Sequence, residues 1–311
     1  MDVAEVGLGL LRDRVASSDA RESVDTAVHD RLRPMTARVT GRSGVGKSAV
    51  LAVLDAAPLD VDGLDVRWHE GRADSSEGEV LTKADTLDDP AAAAAAASEQ
   101  LGRTVLPLMG TTAAGLRGVG RAGAPLDMSD VRAVAAADLR PTDLMTVDRF
   151  RAADLAVSTS RREALIECIE LRGLALLVDL LRQPTAVSDG DAVRMLADAT
   201  GADAVIAAVS TAVSAAAAAR DVELHRRLHR ISARNRRARA AVESYLASDE
   251  AVAAEMRHAA LRLGVPIETG SEQVTLEQAV LWKQRAAAAG DPDVRRSALA
   301  LCRGHVRMLR G

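Results

Sequence analysis

Gly41-Arg42-Ser43-Gly44-Val45-Gly46-Lys47-Ser48 decides how this chain is read. The stretch spells G-x-x-x-x-G-K-S, the phosphate-binding P-loop pattern. Gly41, Gly44 and Gly46 can take positive φ and let the backbone approach a phosphate closely. N–H groups of the loop, Val45 included, and of the following helix N-terminus then face the anion. Lys47 is the residue expected to reach the β- and γ-phosphates, and the Ser48 hydroxyl to take one position on magnesium. The pattern counts only between a strand and a helix. Met35–Thr40 is short and β-capable, and Ser48–Asp55 is helix-compatible.

A second stretch narrows the ligand. Thr82-Lys83-Ala84-Asp85 follows Val80 and Leu81, as at the end of a strand. The pattern [N/T]-K-x-D suits guanine, because a carboxylate such as Asp85 accepts from both N1–H and the 2-amino group. Adenine has no matching pair of donors. The competing readings are a Gly-rich turn without ligand and a polar loop without function. The order of the two motifs favours a nucleotide site.

Composition bounds the rest. The chain has 311 residues, a formal charge of −4 and 27% charged residues, which suits a soluble protein and disfavours general nucleic-acid binding. Its aromatic side chains are Trp68, Phe150, Tyr245 and Trp282, too few for base-stacking platforms. Cores must therefore come from Ala, Leu and Val, a composition that favours helices. Cys168 and Cys302 read as reduced, structural thiols. The histidines and cysteines show no metal-ligand spacing, so a metal other than nucleotide-bound magnesium has no support. No secretory signal is evident, and a cytoplasmic location, peripheral to the membrane in one alternative, is expected. Ala204–Ala219 lacks charge but is short for a membrane span, and reads as a buried Ala-rich helix.

In chain order, residues 1–34 read as an N-terminal helical segment stopped by Pro34. Residues 35–123 alternate helix and strand, the signature of a parallel α/β sheet: Leu64–His69, the strand ending at Thr82, and Thr104–Met109, which leads into a turn at 110–115. Asp88-Asp89-Pro90 marks a helix start. The Gly, Arg, Ala and Pro content of 115–125 suggests a boundary, and 124–311 reads as all helical. The expected fold is thus a shortened P-loop NTPase-type sheet followed by a helical domain. Leu224, Leu228, Ile231, Asn235, Ala238, Val242 and Tyr245 form a seam at spacings of four and three within one helix. Packing inside the domain is the preferred reading, with self-association or a partner helix through 224–245 as the alternative. Arg226, Arg230, Arg234 and Arg237 share a face, read as a solvated basic surface or, alternatively, as a patch for an anionic membrane.

Together, Gly41–Ser48 and Thr82–Asp85 resemble the G domain of translation-factor-class GTPases. The layout, with Ala/Arg-rich helices after it, resembles actinobacterial dynamin-like GTPases. The resemblance implies that Gly41, Gly44, Gly46, Lys47 and Ser48 hold the phosphates and Mg2+ of GTP or GDP. It implies that Thr82, Lys83 and Asp85 hold the base, with a backbone contact from 110–114. The chain departs from that family between the motifs, where only residues 49–81 lie. No Thr occurs there, Asp60-Val-Asp-Gly63 matches D-x-x-G ahead of its strand, and Trp68 stands where a metal-facing Asp belongs. Phosphoryl transfer depends on positioning and charge stabilisation, so guanine-nucleotide binding with slow or absent hydrolysis is expected. A non-catalytic helical interaction protein with a vestigial loop, and a P-loop ATPase, are the rival expectations.

Overall fold

A computed structural model describes residues 3–16, 19–57, 66–71, 79–119, 125–184 and 187–309. The elements run α1 Val3–Arg14, α2 Arg21–Leu32, β1 Met35–Thr40, α3 Lys47–Asp55, β2 Val66–Gly71, β3 Glu79–Thr82, α4 Pro90–Leu101, β4 Val105–Leu108 and α5 Gly110–Leu116. Helices follow: α6 Met128–Ala136, α7 Val147–Ala152, α8 Thr159–Leu181, α9 Asp189–Ala199, α10 Ala202–Arg234, α11 Arg236–Leu246, α12 Asp249–Leu263, α13 Glu272–Ala288 and α14 Pro292–Met308. The chain is mostly helical, with a small strand content, a mixed α/β plus helical class.

The strands do not form the single sheet expected. Among the described residues, β1 pairs only with β2 and β3 only with β4. β3 and β4 are parallel, in register from Glu79↔Val105 to Thr82↔Leu108. Parallel neighbours need a crossover, and α4 supplies it. Its start is set by Asp89, whose Oδ1 accepts from the Ala92 N–H at 2.9 Å, with Pro90 at the first helical position. Its end is set by Gly102 at φ 65°. At the end of β3, the Thr82 side chain donates to the Val45 carbonyl in the loop that follows β1.

Contacts divide the chain into two compact units. One comprises Met1–Met35, Asp60–Val66 and Thr211–Gly311; the other comprises Thr36–Leu59 and Arg67–Ser210. This differs from the boundary expected at 123/124. The α/β part and α6–α9 share one unit because α5 packs directly on α8. The Thr112 hydroxyl donates to the Ile169 carbonyl at 2.8 Å. A Cβ on Gly115 would overlap the Cys168 carbonyl, so only glycine permits this approach. The core of this unit gathers Val50, Val53, Leu54, Leu108, Ala113, Ala114, Ala202 and Val205. A second cluster surrounds Phe150, Leu165, Ile169, Leu174, Leu177 and Leu196. Burial pushes the Cys168 thiol up, consistent with an inert structural cysteine.

In the other unit, Leu8, Leu11, Val15, Val24 and Val28 pack with Leu224, Leu228, Ala238, Val242 and Tyr245. The seam residues are therefore covered within the unit. The single helix expected over 224–245 is two helices. Asn235 lies at φ −123°, and its Oδ1 accepts from the Ala238 N–H at 2.9 Å. The polar seam residue is thus an N-cap, and that bond ends α10 and starts α11. The expected buried Ala-rich helix is also revised. α10 contains a stretch long and apolar enough to cross a membrane, and only 28% of that stretch is buried.

The basic surface is partly neutralised. Glu223 accepts from Arg226, Arg227 and Arg230, and Arg227 also reaches Asp30 at 2.5 Å. Arg234, Arg236 and Arg237 are exposed.

Substitutions at two positions test these assignments. Gly115→Ala forces α5 from α8 and is expected to destabilise by about 2 kcal/mol or more, as overpacking against rigid backbone does; a denaturant midpoint reads it. Asn235→Ala is expected to cost about 1 kcal/mol, the worth of a helix N-cap. Asn235→Leu separates cap from seam: a lost cap lowers the midpoint, whereas a hydrophobic seam position would raise it.

Candidate functional site

β1 delivers the chain into a loop that only glycines can follow. Gly41, Gly44 and Gly46 have φ of 146°, 77° and 96°, all in the region other residues avoid. α3 starts immediately after, with Gly46 as its N-cap and no side chain capping it. The N-terminal N–H groups of such a helix carry partial positive charge and attract anions. Lys47 curls back over the loop, and its Nζ donates to the carbonyls of Gly41 at 3.2 Å and Arg42 at 3.0 Å. Ser48 is the exposed second residue of α3. The loop thus forms a concave turn with an ammonium drawn across it.

Three strand ends meet beside this loop. Thr82, at the end of β3, holds the Val45 carbonyl, and a Cβ on Gly46 would sit 3.5 Å from the Thr82 Cβ. Thr82, expected at the base, thus fastens the 41–48 loop. Lys83 is exposed, at φ 56°, and its carbonyl accepts from the Thr86 hydroxyl at 2.8 Å. That left-handed residue starts a 3₁₀ turn, Ala84–Thr86, which sets Asp85 off the strand end. After β4 the expected turn at 110–115 is the helix α5. A Cβ on Gly110 would lie 2.9 Å from the Ala49 Cβ of α3, so the start of α5 abuts the start of α3. The Met109 N–H donates to the Thr200 carbonyl at 3.0 Å, tying this strand end to the turn before α10. Of the residues expected at the site outside the 41–48 loop, Thr82 is the one whose side chain contacts that loop.

One residue at this edge escaped sequence reasoning. Glu170 interrupts α8 with φ 53° and ψ 172°, a conformation rare outside glycine that costs on the order of 1–3 kcal/mol. Its carboxyl is partly buried, and Asp85, Thr111 and Lys83 are among the groups that act on its charge. Oε2 is sealed from solvent and closes no regular hydrogen bond. Burial first, and the Asp85 charge second, push the Glu170 carboxyl above the ordinary glutamate range. The sequence signal was faint: Glu170 stands beside Ile169 within an apolar stretch, three residues before Gly173.

Asp60–Gly63 lies outside the described residues, so the D-x-x-G match has no structural counterpart here. Among the described residues no group of three His, Cys, Asp or Glu could hold a metal ion. No family model, curated protein or solved structure matches the chain.

The Glu170 environment predicts a pH-dependent stability. Its folded-state carboxyl holds its proton to higher pH than the unfolded one, so stability falls as pH rises from the ordinary glutamate range through the raised value. Glu170→Gln removes that titration. Its melting temperature is expected to exceed that of the wild type more at pH 8 than at pH 4.5, and a difference that does not grow with pH would refute the assignment.

Proposed function

We propose that this protein binds a guanine nucleotide at residues 41–48 and 82–85 and hydrolyses it slowly or not at all. The observation that carries the reading is the loop between β1 and α3. Three left-handed glycines, an uncapped helix start and the Lys47 ammonium converge there, an arrangement suited to a polyphosphate. Asp85, in the 3₁₀ turn after β3, is a carboxylate suited to the two N–H donors of guanine. In this reading Lys47 leaves the Gly41 and Arg42 carbonyls for phosphate oxygens, Thr82 keeps the loop in place, and Ser48 carries Mg2+. The metal, when bound, neutralises charge on the phosphates. The slow turnover is inferred from the sequence between the motifs, which lacks a Thr and has Trp68 at the place of a metal-facing Asp. Kinship with dynamin-like GTPases belongs to the same proposal and rests on the two motifs.

A vestigial loop in a helical interaction protein is the second reading. It is favoured by one observation: Lys47, the group that would meet phosphate, already has partners inside the chain.

Titration of the purified chain with fluorescent GDP, GTP and ATP in magnesium separates the two. Guanine-nucleotide binding is expected, weakened at least tenfold by Lys47→Ala, a loss of about 1.4 kcal/mol or more. Asp85→Asn is expected to weaken guanine binding selectively. Equal affinity for ATP would remove the guanine reading. Absence of binding at about 1 mM, weaker than roughly −4 kcal/mol, would leave the vestigial loop.

A further inference from the structure

A cavity of about 360 Å³ lies among α10, α11, the start of α12 and the end of α14. All its lining residues belong to the unit that holds Thr211–Gly311. The volume falls within the range of small-molecule sites, about 300–1,000 Å³. Leu246, Ala247, Val252 and Val306 give it apolar walls, and Arg303 and Arg307 give it two cations. Apolar walls with a few placed polar groups are the ordinary make-up of a ligand pocket. We propose that this cavity binds a small monocarboxylate with an apolar body, its carboxylate held by Arg303 and Arg307. The 41–48 loop belongs to the other unit, so this site stands apart from the guanine-nucleotide reading.

α14 sets the two arginines side by side. Arg303, Val306 and Arg307 stand at spacings of three and four, so they share one helix face. Leu301 and His305 bury the opposite side, while Val306 stays 37% exposed beside the two guanidinium groups. Neighbouring carboxylates of α12 hold both arginines in place. Nη1 of Arg303 donates to Glu255 Oε2 at 2.8 Å, and Nε of Arg307 donates to Asp249. A guanidinium carries five N–H donors in a planar fork, so each arginine keeps donors for a further carboxylate. Arginine suits that role because its fork matches the two oxygens of a carboxylate. Asp249 is 80% exposed, and an ion pair so open to solvent exchanges readily for a ligand.

The remaining lining narrows the ligand class. Leu246, Ala247 and Val252 offer no side-chain donor or acceptor, so the body of the ligand must be apolar to be buried there without loss. Glu243 is the acidic group of the lining. Its Oε1 accepts from the Ser232 hydroxyl at 3.2 Å, with Arg239 Nε 4.0 Å away. A negative charge at that position disfavours a doubly charged phosphate relative to a singly charged carboxylate. His229, from α10, adds a ring N–H donor. An amine of the same shape would meet two like charges and be repelled.

The experiment is calorimetric titration of the full chain at neutral pH with sodium octanoate, octylammonium chloride and inorganic phosphate. Wild type, Arg307→Gln and Ala247→Phe are compared. Octanoate is expected to bind with a Kd of about 1 mM or tighter, the ordinary efficiency of a ligand of its size. Octylammonium and phosphate are expected to bind roughly tenfold more weakly or not at all. Arg307→Gln is expected to weaken octanoate roughly tenfold through the lost charge-assisted hydrogen bonds. Ala247→Phe is expected to abolish binding by filling the cavity. Both positions are exposed, and circular dichroism checks that each variant keeps its fold. Should Ala247→Phe fold poorly, Val306→Phe on the exposed face of α14 takes its place. Octanoate binding unchanged in both variants would overturn the site. Octylammonium or phosphate bound as tightly as octanoate would overturn the monocarboxylate assignment. No heat with octanoate up to about 10 mM, a free energy too small for a built site, would overturn the proposal outright.

Discussion

The packing of α5 on α8 is the constraint on which the α/β unit depends. Gly115 lies against the Cys168 carbonyl and Thr112 takes the carbonyl of Ile169. The break in α8 falls one residue after that carbonyl, where Glu170 takes a left-handed conformation. The same contact places α5 behind the strand ends, with Gly110 against Ala49 at the start of α3. The loop at 41–46, Asp85 and Glu170 are therefore positioned by one interface.

That interface also explains why so little sheet suffices. β3 and β4 are four residues each, shorter than the usual strand of five or six. Val50, Val53, Leu54 and Leu108 bury their side chains with Ala113, Ala114, Ala202 and Val205, so helices on this face supply most of the apolar cover. Small residues predominate on α5, and small residues allow close approach of backbones. A chain with one Phe and one Tyr fills its cores in this way.

The other unit carries a different tension. Arg31 and Asp221 form a buried ion pair, and Arg31 Nη1, Asp221 Oδ2 and both ring nitrogens of His225 are sealed without a hydrogen bond. Burial holds the His225 imidazole below its ordinary range, despite the neighbouring Glu255 and Asp221 charges. Removing one member of such a pair leaves an uncompensated charge and costs about 3–5 kcal/mol. Position 31 reads in sequence as an ordinary basic residue near the end of an amphipathic helix.

The sequence alone determined those features whose physical cause is local. Gly41, Gly44 and Gly46 take left-handed φ because only residues without a Cβ do so freely. Asp89-Pro90 starts a helix because a carboxylate can cap the first N–H groups and proline suits the first turn. The short strands at 35–40, near 66–71, at 79–82 and at 105–108 were legible from alternation and flanking turns. Tertiary structure alone decided what depended on distant partners. Asn235 had the spacing of a seam residue, yet backbone N–H groups three residues on made it a cap. At the start of the Gly-rich stretch 115–125, Gly115 is what lets α5 approach α8. Thr82 belonged to a base motif by order and to the phosphate loop by contact. Glu170 lies 85 residues after Asp85, and no local pattern records that the Asp85 charge acts on a residue in a broken helix.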